Sequence, residues 1–139
     1  MTLLNVHIAS IFFAGAVLLF ADHDAFDWVL GKKQTLSHAR MVLLHYLMWA
    51  ALLSLIISGT LLFLPQASYL LHTPLFVIKL LFVAILVLNA ILIGNLMHVA
   101  PKRPFSSLSL EEKLELYASG AISSFGWVST VAIGLYLFY

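Results

Sequence analysis

The chain has 139 residues, 63% of them hydrophobic and only 9% charged, where a soluble domain carries about 25% charged residues, so it belongs in a membrane. A net charge of +1 argues for neither a nucleic-acid nor a strongly acidic partner. The absence of cysteine excludes disulfides, thiolate metal sites, iron–sulfur clusters, cysteine nucleophiles and two-cysteine quinone chemistry.

A helix that crosses the hydrocarbon core needs about 20 mostly apolar residues. Four segments meet that length, at about 3–21, 41–64, 75–98 and 116–138. Each is read as a helix, because only a helix satisfies its own backbone in lipid without a partner strand. The expected fold is all-α: one domain over 1–139, an integral membrane four-helix bundle. The opening "MTLLNVHIAS" has no basic stretch before its apolar run, so it reads as the first span and not as a cleaved leader.

The connections fit these boundaries. "ADHDAFDWVLGKKQTLSHAR" (21–40) holds the polar residues between spans one and two. "PQASYLLHTP" (65–74) is short, and its end places Thr73 as N-cap and Pro74 at the first helical position. In "APKRPFSSLSLEEKLEL" (100–116), Pro101 ends span three, and Ser109 with Glu112 reads as a capping box that opens span four.

Charge then orients the bundle. Lys32, Lys33, Arg40, Lys102, Arg103 and Lys113 all fall on the side opposite the N-terminus. The enrichment of Lys and Arg in cytoplasmic loops makes that side cytoplasmic and places both termini outside, in a bacterial inner membrane. Asp22, Asp24, Asp27, Glu111, Glu112 and Glu115 lie on the cytoplasmic side too. Lys79, in "FVIKLLF", is therefore the one charged side chain in the outer half, with no acidic side chain to pair with it.

Two polar constellations follow. In the outer half, His7 of span one and Lys79 of span three come to similar depth, within about one helical pitch of 5.4 Å, with Ser58, Thr60, His72 and Tyr136 near the same mouth. Ionisable residues in a membrane segment are costly and usually face the bundle interior or a cavity, although a lysine can also extend its stem to the interface. In the inner half, His38 and His45 are seven residues apart and so about 20° apart on one helix face. His98 and Asn95 close span three, and Asp22, His23 and Asp24 close span one. His38, His45, His98 and Asp22 are the candidate metal set, which could equally be a solvated hydrogen-bond network. Haem accepts axial histidine and zinc accepts histidine with aspartate, but no zinc-ligand spacing is present.

Asn89 lies near the middle of span three, where an amide usually bonds across helices. Ser119, Ser123, Gly126, Thr130 and Gly134 recur every three or four residues along span four. Small residues permit close helix approach, so this stripe packs within the bundle or, second, joins two copies or a larger membrane complex. Trp28, Tyr69, Tyr136 and Tyr139 suit an interfacial belt, while Trp49 and Trp127 lie deeper, as packing or as an aromatic wall beside a ligand.

Three stretches, "NVHIASIFFAGAVLLF", "ISGTLLFL" and "LLHTPLFVIKLLFVAILVLNAIL", resemble small bacterial four-helix membrane proteins, the group of the HemJ-type protoporphyrinogen oxidases and the CopD-like membrane domains. In the HemJ type, the first-span histidine and third-span lysine are tied to haem and activity, and they match His7 and Lys79. The second span, "SHARMVLLHYLMW", lacks that type's paired arginines and Asn-Pro, and the fourth, "LELYASGAI", lacks its proline. The resemblance thus implies a shared ligand pocket and not the oxidase activity.

The functional expectation is a membrane protein that binds haem b, or another anionic planar ligand, between its helices for electron transfer or porphyrin redox chemistry. His7, Lys79, His45 and His98 are the candidate cofactor-binding residues. A non-catalytic membrane subunit and a metal-ion or proton pathway are the alternatives.

Overall fold

A computed structural model describes residues 2–96 and 98–138, with the side chains of Asn95 and Leu96 outside the described set. The order is α1 (Leu3–Val29), α2 (His38–Phe63), a 3-10 turn (Leu64–Gln66), the short α3 (Ala67–Leu70), α4 (Pro74–Leu96), a second 3-10 turn (Phe105–Ser107) and α5 (Leu110–Phe138). Four of these helices are long and apolar enough to cross a membrane. Large apolar side chains such as Phe12, Leu19, Leu88, Phe125 and Val128 are exposed around the bundle, where acyl chains take the place of a protein partner.

α1 is longer than its apolar run. Nothing in "ADHDAFDWV" breaks a helix, and it continues in α-form to Val29. It stops at Gly31, whose φ of 75° is open to glycine at low cost. The Gly31 N–H turns back to the Trp28 carbonyl and the Lys33 N–H to the Asp27 carbonyl, satisfying the helix end. The loop expected over 21–40 is thus a polar last two turns of α1 and a short link. The other helix starts follow the sequence more closely. α4 opens at Pro74, with the Thr73 hydroxyl donating to the Tyr69 carbonyl of the preceding turn. At α5, Ser109 and Glu112 close the capping box, with the Glu112 N–H on Ser109 Oγ at 3.2 Å and the Ser109 N–H on Glu112 Oε1 at 3.3 Å.

The helices pack as two hairpins. α1 lies on α2 and α4 on α5, and contact between the pairs is sparser. In the first hairpin, the Ser10 hydroxyl donates to the Val6 carbonyl at 2.9 Å, so the Ser54 hydroxyl donates to Ser10 across the interface at 2.7 Å. In the second, buried Asn89 and Ser119 bond reciprocally: Asn89 Nδ2 donates to the Ser119 carbonyl at 3.1 Å and Ser119 Oγ donates to Asn89 Oδ1 at 2.9 Å. One turn along α4, a Cβ on Gly126 would meet Leu86 Cδ2 at 2.9 Å. The small-residue stripe of α5 therefore serves the contact with α4.

At the end that carries the 21–40 and 97–109 connections the hairpins are tied together. Trp28 is 3% exposed, edge-on to Phe105 at 5.3 Å, and packs with Ala100 and Leu108. Its indole N–H donates to the Arg103 carbonyl at 3.0 Å, and the Leu36 N–H donates to the Ala100 carbonyl at 3.0 Å. This corrects the reading of Trp28 as an interfacial belt residue. The extended α1 carries it beyond the apolar run, and the α4–α5 connection folds over it. Tyr69 and Tyr136 are exposed, as a belt requires, and Tyr139 lies outside the described residues.

Trp28→Ala removes the largest side chain of this junction and should destabilise the fold by about 3–5 kcal/mol. Asn89→Ala, which removes two hydrogen bonds within one hairpin, should cost about 1–2 kcal/mol. Detergent-titrated unfolding followed by far-UV circular dichroism measures both. An effect of Trp28→Ala no larger than that of Asn89→Ala would show that the Trp28 junction does not hold the hairpins together.

Candidate functional site

The outer residues are brought together in part. On α2, the Ser58 hydroxyl donates to the Ser54 carbonyl at 2.6 Å, one helical turn back. Its proton being engaged there, Ser58 Oγ accepts from His7 Nδ1 of α1 at 2.8 Å. This network assigns the proton of the His7 ring to Nδ1 and leaves the lone pair on Nε2. Gly59 admits the ring, since a Cβ there would lie 3.3 Å from His7 Cε1.

Lys79 of α4 lies along α5. A Cβ on Gly134 would stand 3.1 Å from its Nζ, and the ammonium sits 5.9 Å from the Phe138 ring centroid, one turn further out. The stem thus reaches outward along a protein groove and not across bare lipid. Lys79 is close enough for its charge to act on His7. Among the described residues no side-chain carboxylate pairs with it. Thr60, His72 and Tyr136 are exposed, and the His72 ring donates from Nδ1 to the Ser68 carbonyl at 2.6 Å.

The inner residues are dispersed. His38 and His98 are exposed, and Asn95's side chain lies outside the described residues. Asp22 and His45 line a cavity between the hairpins. His23 pairs with Asp27 at 3.5 Å, and buried Asp24 accepts from Arg40 and, at 3.4 Å, from Lys33. Among the described residues no three His, Asp or Glu side chains form a group that could hold a metal ion. His45 is committed in a second way. Trp49, one turn on, donates its indole N–H to His45 Nε2 at 3.1 Å, which occupies the lone pair that an axial ligand would need.

No family model, curated protein or solved structure matches the chain.

The two histidines facing the interior therefore differ in chemistry. His7 offers a free acceptor nitrogen near a cation, whereas His45 has its acceptor nitrogen filled. Asn89, the polar residue midway along α4, is spent on Ser119. Spacing alone could not reveal the Ser54–Ser58–His7 relay, because its partners lie on different helices. The signal was faint: "ISGT" sets a hydroxyl beside a glycine at the level of His7.

Ser58→Ala removes the acceptor for the His7 Nδ1 proton. Nitrogen-15 NMR of the imidazole should find the proton on Nδ1 in the wild type and a mixture of tautomers in the variant. A wild-type spectrum with the proton on Nε2 would exclude the relay.

Proposed function

We propose that this multi-pass membrane protein binds an anionic, planar ligand at its outer end, haem b foremost, between His7 and Lys79. The supporting observation is the His7 ring with its Nδ1–H engaged by Ser58 and its Nε2 lone pair free, near a cation that has no carboxylate partner among the described residues. A ligating histidine characteristically donates its other ring N–H to a neighbouring acceptor, which fixes its tautomer and raises its basicity. Ser58 fills that role for His7. Lys79 supplies the positive charge that a propionate or other carboxylate requires.

Each side chain has a defined task. His7 presents Nε2 to the ligand, Ser58 orients the ring through the Ser54 carbonyl, and Lys79 holds the ligand's acid group. Gly59 and Gly134 keep open the space into which the ring and the ammonium fit. A bound haem supplies one-electron chemistry. His45 and His98 stand outside this assignment, the first because Trp49 occupies its Nε2 and the second because it is exposed.

The asymmetry of Lys and Arg supports an orientation with the Trp28 junction in the cytoplasm and both termini outside, in a bacterial inner membrane.

The visible spectrum tests the reading. Protein purified from haem-supplied cells should show a Soret band, and His7→Ala should lose or shift it. Lys79→Gln should weaken binding by about 10- to 100-fold, the worth of a hydrogen bond to a charged group. A colourless preparation that develops no such band on adding haemin would sink the haem assignment.

A further inference from the structure

The cavity between the hairpins is a separate feature of about 260 Å³ and is lined by all four spanning helices. We propose that it is a binding site for a lipophilic organic cation about the size of a two-ring aromatic.

The walls carry the first part of the argument. The chain has three tryptophans, and all of them, Trp28, Trp49 and Trp127, line this space. Aromatic ring faces attract cations through their quadrupoles, and cages of such rings recognise quaternary ammonium groups.

Charge carries the second part. Two carboxylates, Asp22 and Asp24, line the cavity, and no lysine or arginine does. Asp24 is answered from outside the cavity by Arg40 and Lys33. Asp22 is in no ion pair among the described residues. The other polar side chains of the lining, His45, Asn89, Tyr117 and Ser123, bring no positive charge: His45 accepts from Trp49 and so carries a neutral ring, and Asn89 is turned to Ser119. An apolar space with one uncompensated carboxylate favours a positive guest over a neutral one of equal shape and repels an anion.

Size and access complete it. A cavity of about 150 Å³ holds benzene, and pockets for drug-sized ligands begin near 300 Å³, so this one suits one or two fused rings. The sparse contact between the hairpins offers a route from the bilayer. The site is distinct from the outer one, with the opposite charge preference and no shared residue.

The whole chain in zwitterionic lipid nanodiscs can be titrated with N-methylquinolinium, reading tryptophan fluorescence, with empty nanodiscs as the blank. 1-Methylnaphthalene and 1-naphthoate, similar in shape but neutral and anionic, serve as competitors. We expect saturable quenching by the cation, with at least about tenfold weaker displacement by the neutral ring and weaker still by the anion. Asp22→Asn should abolish most of that preference, and Ala90→Phe, which fills the space, should remove saturable quenching. Linear quenching, equal binding of the neutral ring, or a preference unchanged in Asp22→Asn would overturn the proposal. The wild-type charge series decides the matter even if either variant fails to fold.

Discussion

The indole of Trp28 is where two helical hairpins become one protein. In lipid the hydrophobic effect does not drive helix against helix, because acyl chains are as apolar as leucine. Association must come from close packing and from hydrogen bonds. Within each hairpin these are provided along the length of the helices, by Ser10 with Ser54 and by Asn89 with Ser119. Between hairpins the connections gather at one end, around Trp28 and Phe105, with the Arg103 and Ala100 carbonyls as acceptors. A junction at one end leaves space above it, and the cavity lies there.

The same scarcity of water governs the polar residues. A buried donor or acceptor in hydrocarbon must find a partner or pay several kcal/mol. Most of the polar side chains inside the bundle have done so: Ser58 with the Ser54 carbonyl, His45 with Trp49, Asn89 with Ser119. Against that background two groups stand out, the acceptor nitrogen of His7 and the ammonium of Lys79. Ser58 engages the His7 ring through Nδ1, and the Lys79 ammonium lies over Gly134 near the Phe138 ring. The Thr130 hydroxyl is a further buried group without a partner, and nothing around it defines a role.

Lys79 shows how two explanations of one residue can both hold. Its stem runs toward the near end of the bundle, as a lysine in a span tends to do. It does so along α5, over Gly134 and toward Phe138, so the charge remains next to protein and near His7. The glycine at 134 therefore has a purpose beyond helix packing. It gives the ammonium a place to lie.

The sequence by itself determined the four spans, the asymmetry of charge, the capping box at Ser109 and Glu112, and the expectation that Asn89 bonds across helices. These features depend on residues close in the chain or on the simple need for 20 apolar residues in a bilayer. The end of α1 was less legible, because a run of aspartates at a membrane surface reads as a loop when no partner is known for it. Tertiary structure alone decided that Trp28 is core, that Ser58 sets the tautomer of His7, that Trp49 closes the acceptor nitrogen of His45, and that His38, His45, His98 and Asp22 do not converge. Each of these turns on the rotation of one helix about its axis relative to another, or on a hydrogen bond formed only in the folded geometry. Periodicity along a single helix records which residues share a face, but not which neighbour that face meets.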